Sequence, residues 1–312
     1  MNTIPANTSS NSLPKWGALE RSQWLAQQSV KRSYQFEVVN KIEQLKQNFE
    51  VSQYGALEYD VQKYPLYLIK NRHWDDQLPV ILITGGVHGY ETSGVQGAIR
   101  FLKTQAYQYK GQFNFIVAPC ISPWGYETIN RWNPYCVDPN RSFYQALING
   151  ELSTQQGSEE ANKFMQAISA ISNNVYAHID LHETTDSDNN EFIPALNARD
   201  GKQPEPRETP DGFYLVGDTD NSQDECMAFI IEGVEKVTHI APADNQGCII
   251  GSPLSQRGVI NYALESLGLC AGVTKAKYRI TTEVYPDSPK ATDEICINAQ
   301  VASVMSLLEY LK

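Results

Sequence analysis

Four short segments carry side chains whose types and spacing could do chemistry. His88-Gly89-Tyr90-Glu91 sets an imidazole and a carboxylate three positions apart at a turn. That spacing lets both reach one ion, and both are ordinary zinc ligands. A helix-start Glu beside an unrelated His gives the same letters. In the segment H-I-D-L-H-E at 178–183, His178, Asp180 and His182 share one face if a strand runs through them. Two His and an Asp at the end of an apolar strand are costly unless paired or bound to metal. In T-T-E-V-Y at 281–285, Glu283 lies among β-branched and aromatic residues. A buried Glu needs a partner or a task, and a raised pKa suits a general base. In V-D-P-N-R-S-F at 137–143, Arg141 can grip a carboxylate with its planar fork and Asn140 can add an amide donor. The D-P-N run also suits a plain surface turn. His73 and His239 stand in polar or turn-like contexts and are set aside.

Strand and helix patterns alternate around these segments. Strands are predicted over 78–84, 113–118, 175–181, 214–216 and 278–285. Helices are predicted over 91–105, 159–172, 223–237 and 291–311. Residues 15–50 read as one or two helices, with Trp16, Leu19, Trp24 and Leu25 as a packing stripe. Such alternation implies an α/β fold, with a mixed, mostly parallel central sheet and helices on both faces. Sites in such sheets form at the carboxyl ends of the strands. Residues 186–212, with Pro194, Pro204, Pro206 and Pro210, read as one long irregular stretch. The expected organisation is an N-terminal helical segment, 1–50, packed on a single catalytic α/β domain, 51–312.

The chain has 312 residues, a length that fits one or two domains at about 100–200 residues each. Lys and Arg number 25 against 36 Asp and Glu, a net charge of −11. That balance argues against nucleic acid or an anionic membrane as the main partner. No window approaches the ~18 apolar residues of a membrane helix. The polar start, Met1 to Ser12, lacks the pattern of a signal peptide, so a cytoplasmic location is expected. None of the six Cys forms a C-x-x-C pair, so buried thiols are expected rather than a Cys zinc site. No G-x-S-x-G elbow points to a serine hydrolase.

Taken in order over roughly residues 60–310, the segments resemble the zinc carboxypeptidases of the carboxypeptidase A type. That family's H-x-x-E is matched by His88 to Glu91. Its N-P-D-G-Y-E-like segment is matched by Ser122-Pro123-Trp124-Gly125-Tyr126-Glu127, and its V-D-x-N-R-x-F by Val137 to Phe143. The resemblance implies one zinc per chain, held by His88, Glu91 and His182, with Glu283 as the base that activates the zinc-bound water. It also implies that Asn140 and Arg141 hold the substrate's terminal carboxylate, that Arg131 polarises the scissile carbonyl, and that Asp138 orients His88. Around Cys248 to Gly251 there is no match to the family's mobile Tyr, although Tyr262 is near. The D-L-H-x-T-T wording at 180–185 resembles the aspartoacylase and succinylglutamate desuccinylase branch of the same fold. The expected activity is therefore metallocarboxypeptidase hydrolysis of a C-terminal peptide bond. The alternative is deacylation of a small N-acyl amino acid. A non-enzymatic binding protein on the same fold is disfavoured, because every ligand and base position is filled.

Overall fold

The computed structural model describes residues 14–144, 157–203 and 208–312, and the backbone at 147–148 and 151–152. Met1 to Ser12, Pro204 and Pro206, on which the sequence reading drew, lie outside the described residues.

Eight strands form the main sheet: β1 (Phe49–Ala56), β2 (Pro65–Asn71), β3 (Val80–Gly85), β4 (Asn114–Ala118), β5 (Val175–Glu183), β6 (Tyr214–Asp218), β7 (Val259–Tyr262) and β8 (Tyr278–Val284). Their order across the sheet is β1-β2-β4-β3-β5-β8-β6-β7. The pairs β4-β3, β3-β5, β5-β8 and β6-β7 are parallel, and the remaining three are antiparallel. Every residue of β3 and β4 is buried, as expected of strands covered on both faces.

The helices are α1 (Ala18–Ala26), α2 (Asn40–Leu45), α3 (Thr92–Thr104), α4 (Pro123–Thr128), α5 (Glu159–Ile168), α6 (Ile193–Asp200), α7 (Asp224–Val234) and α8 (Asp293–Tyr310). Side chains of a strand point alternately to its two faces. Ile81 and Ile83 of β3 join the larger core cluster, which includes residues of α3, α7 and α8. Leu82 points the other way, into a cluster with Phe164 and Ile168 of α5. Tyr34, Val38 and Ile42 of the N-terminal segment are buried in the larger cluster as well.

Two expectations fail. Leu19 and Leu25 are exposed at 65% and 38%, so they form no packing stripe. α1 is held instead by aromatic contacts: Trp24 lies 5.5 Å from Trp132 and 6.1 Å from Trp124, and Trp16 lies 6.0 Å from Trp132. The stretch read as irregular, 186–212, contains helical structure over 188–200. Residues 188–192 form a π-type turn that runs into α6, with Pro194 in its first turn, a position where proline's missing N–H costs nothing. Strands β1, β2 and β7 were not anticipated.

The central parallel strands β3, β5 and β8 end side by side and carry the candidate residues. After β3 the chain turns at Gly86, in the left-handed region at φ +57°. The loop then runs backbone against backbone along α4. A Cβ on Gly89 would lie 2.0 Å from the Tyr126 nitrogen and 2.1 Å from the Gly125 carbonyl carbon. Arg32 fastens the same junction, donating to the carbonyls of Gly89 at 2.8 Å and Tyr126 at 2.6 Å. Gly89→Ala is therefore expected to push the His88–Glu91 loop off α4. It should destabilise the protein by about 1–3 kcal/mol or more and weaken metal retention, read by denaturant titration and metal content. A variant as stable as the parent would show that the loop yields freely.

Candidate metal centre

His88 and Glu91 come from the turn after β3, and His182 from the end of β5. Their ligand atoms lie within 4.8 Å of one another, and all three side chains are buried. Glu91 bridges the two imidazoles. Its Oε1 is 2.7 Å from His88 Nδ1 and its Oε2 is 2.7 Å from His182 Nδ1. Oε2 nevertheless takes part in no well-directed hydrogen bond. Both Nδ1 atoms thus face one carboxylate, while the Nε2 atoms are engaged behind. His88 Nε2 is 3.0 Å from Asp138 Oδ1, and His182 Nε2 is 2.7 Å from Asp180 Oδ2. Carboxylates behind the ligating imidazoles are the usual device for fixing ring orientation and tautomer. Two nitrogens and a buried carboxylate with an unserved oxygen make a donor set that fits a zinc-type divalent cation.

The charges are mutually adjusted. Burial acts to raise the Glu91 pKa, but His182 and His88 outweigh it and hold the carboxyl at about 2. Burial likewise opposes ionisation of Asp138, and Arg131 and His88 overcome it, keeping that group well below the carboxylate range. Glu283 behaves in the opposite sense. Burial pushes its carboxyl up to about 7, with His182 pulling down and Glu91 adding to the rise. Glu283 of β8 is in register with His182 of β5, so the two side chains share a face. Its Oε2 accepts a hydrogen bond from Thr184 Oγ1 at 2.8 Å, and Thr184 also meets the Tyr214 hydroxyl at 2.7 Å.

These groups border a cavity of about 960 Å³. Arg131, Asp138, Asn140 and Arg141 line it together with His88, Glu91 and Glu283. Asn140 Oδ1 accepts from the Cys270 N–H at 2.7 Å, and its Nδ2 is 3.4 Å from His182 Nε2. Arg141 is exposed and donates to the Asn140 carbonyl at 2.7 Å. Arg131 is held from two sides, by Asp138 Oδ2 at 3.1 Å and by Asp188 Oδ1 at 2.9 Å. Its guanidinium also stacks over the Phe192 ring at 4.5 Å.

His178, on the same strand face as His182, stands apart from the metal set. Burial lowers its pKa to about 4, and Thr84 Oγ1 contacts its Nε2 at 2.9 Å. Glu183 turns to the other side of the sheet and accepts the Ser93 N–H at 2.6 Å near the start of α3. Several site residues went unassigned in the sequence. Asp180 could have been found as the partner of His182, since strand alternation already placed it on that face. Tyr90, which donates to Asp188 at 2.7 Å, and Asp188 itself gave no signal, because their meeting depends on the path of the 188–192 turn. Tyr262 ends β7 and also lines the cavity.

A family model described as the succinylglutamate desuccinylase/aspartoacylase catalytic domain matches residues 77–207. This span contains all three members of the metal set. Over this span the chain is similar to that family. Its H-x-x-E and distant His form a buried His-Glu-His group that could hold a metal ion. The fold is shared with a "putative metallopeptidase" from Shewanella amazonensis, at a TM-score of 0.67 and 17% identity, covering 91% of this chain and 99% of that one. A metallo-carboxypeptidase from Burkholderia cenocepacia aligns at a TM-score of 0.56 and 14% identity, over 96% of this chain and 70% of its own. A metallo-carboxypeptidase from Pseudomonas aeruginosa, in complex with (2-guanidinoethylmercapto)succinic acid, gives 0.56 and 14% over 88% and 68%. No curated protein matches the chain in sequence. Among the described residues, no helix is long and apolar enough to cross a membrane.

The Asp180–His182 contact makes a separable claim about this site. Asp180→Asn keeps the shape but removes the charge behind His182. Metal affinity should fall by about 10–100-fold, as measured by competition with a chelator. An affinity equal to that of the parent would mean that Asp180 does not orient the ligand.

Proposed function

We propose that the chain is a zinc-dependent carboxypeptidase that hydrolyses the last peptide bond of a substrate with a free C-terminal carboxylate. The observation that carries this reading is the position of Glu283. It stands in strand register beside His182, lines the same cavity as Arg141, and has an elevated pKa. His88, Glu91 and His182 would hold one zinc ion, which when bound lowers the pKa of a coordinated water to about 7 and polarises a carbonyl.

The chain's own residues supply the rest. Thr184 fixes Oε2 of Glu283 and so aims the carboxylate. Glu283 takes a proton from the attacking water and returns it to the departing amine as the C–N bond breaks. Arg141, with Asn140 beside it, binds the terminal carboxylate and so places the scissile bond in the cavity. Asp138 and Asp188 hold Arg131 rigid, ready to receive the carbonyl oxygen as negative charge develops on it.

Deacylation of a small N-acyl amino acid is the second reading, favoured by the family model matched over 77–207. The cavity has room for a peptide. Its volume is about 960 Å³, at the upper end of the roughly 300–1,000 Å³ range of small-molecule pockets.

Glu283→Gln should bind zinc and substrate normally and lose about 10²–10⁴-fold in kcat. A folded, zinc-loaded variant with near-normal kcat would place the base elsewhere, with Glu183 the next candidate. The pH profile carries a sign. A base must be ionised to accept a proton, so kcat/KM should fall as pH drops through the Glu283 pKa. Burial sets that value at about 7, and a cation beside His182 pulls it lower. The acid limb should therefore lie at or below pH 7, and a limb centred well above it would argue for a different base. Assaying C-terminally varied peptides against N-acyl amino acids decides between the two readings.

A further inference from the structure

The wall of the cavity formed by α6 has a definite direction. At its near end, Asp188 grips Arg131, which in turn binds Asp138 behind His88. Phe192, Ile193 and Leu196 follow along the wall. At the far end stand Arg199 and Lys202, and Arg21 of α1 lines the same cavity. The far end is tied together. Arg199 donates to the Cys136 carbonyl at 2.8 Å and stacks over Trp132 at 4.8 Å, while Arg21 donates to the Tyr135 carbonyl at 3.1 Å. Burial raises the Cys136 thiol, and Arg21 and Arg199 both pull against it, which places the two guanidinium groups around one point. Arg199, then Lys202 and Lys15, hold the Asp200 carboxyl below its usual range. Three cations thus line this rim, Arg21, Arg199 and Lys202, with Glu208 beside them and Arg199 in a two-point ion pair with Asp200 at 2.8 and 3.2 Å, in a chain whose net charge is −11. The cavity's other two cations, Arg131 and Arg141, lie beside the metal set.

The helix supplies a ruler. From Asp188 to Arg199 is eleven residues, or roughly 16 Å at ~1.5 Å per residue. An extended peptide covers that distance with about four or five residues at ~3.3–3.6 Å each. We propose that this rim, formed by Arg21, Arg199 and Lys202, is a distant subsite for acidic side chains, selecting peptides that carry Glu or Asp four or five residues before the scissile bond. The apolar stretch of Phe192, Ile193 and Leu196 would cover the residues between. The proposal rests on the peptide-hydrolase reading above and narrows its substrate class. A small acyl amino acid cannot span from the metal set to the rim.

The test uses labelled heptapeptides with one constant C-terminal residue and with Glu, Gln or Lys at the fourth and fifth positions before the terminal bond. Binding is measured by fluorescence anisotropy on the full-length, zinc-loaded protein, and hydrolysis is followed separately. The Glu peptide should bind about three- to tenfold tighter than the Lys peptide, the scale of one or two partly exposed ion pairs. Added salt should narrow the gap. The gap should close in the double variant Arg21→Gln/Lys202→Gln, which leaves the structural contacts of Arg199 in place. Equal binding of the Glu and Lys peptides, or a gap that survives in the double variant, overturns the subsite. Charge-ordered binding without hydrolysis would retain the subsite and refute the peptidase reading. Hydrolysis with no charge preference would do the reverse.

Discussion

Two imidazoles and a carboxylate are forced together out of reach of water, and most of the local architecture answers that constraint. Burying a lone carboxylate is costly unless it is paired or bound to a cation. Glu91 is 1% exposed and lies between His88 and His182, 2.7 Å from a ring nitrogen of each. Each His is in turn backed by a carboxylate, Asp138 or Asp180, and these are anchored again. Arg131 holds Asp138 from one side, and Thr84 donates to Asp180 at 2.6 Å. A chain of alternating charge runs outward from the metal set until it reaches Asp188 on the turn before α6. Removing any link leaves a buried charge with one partner fewer.

The sheet makes this arrangement possible. Three adjacent parallel strands end at one edge, and successive residues beyond or within those ends point into the same space. His182 and Glu283 share a face because they are in register on neighbouring strands, whereas the Glu183 carboxylate, one residue on, accepts the Ser93 N–H near the start of α3. A one-residue slip in β5 would exchange them. The turn after β3 is sharper than an ordinary side chain allows, and the glycines there let the ligand loop lie flat on α4. The N-terminal segment takes part in this through Arg32, which stacks on Tyr126 at 3.8 Å while bonding the loop's backbone. The ligand turn is thus braced by a residue some sixty positions upstream.

The parts of this that could be read in the sequence are those governed by local pattern. The fully apolar runs of β3 and β4 announced buried strands, and the helical periods of α3, α7 and α8 were plain within a few residues. H-x-x-E and D-L-H named the ligand candidates because ligand spacing at a turn and along a strand is a local property. What escaped depends on distant segments meeting. β1, the edge strand, and β2 beside it were hidden because both are partly exposed and of mixed composition. The stripe of the first helical segment was half right: Trp16 and Trp24 do pack, around Trp132, but Leu19 and Leu25, placed in the same stripe, are exposed. The 188–200 helical stretch was taken for loop because Asp, Asn and Pro dominate its start, the composition of a turn, yet Pro194 is tolerated in the first turn of a helix. Asp188 could not be tied to Arg131 without that path. The sequence therefore pointed to the ions' neighbours but not to the wall that gives the cavity its length.

The most direct test of the central claim is metal analysis combined with X-ray absorption at the zinc edge on the purified, zinc-loaded protein. The account requires one ion per chain with two imidazole nitrogens and oxygen donors only, and loss of the imidazole signature of one ligand in His182→Ala. Absence of stoichiometric metal, a sulfur scatterer in the coordination shell, or an unchanged spectrum in His182→Ala would contradict it.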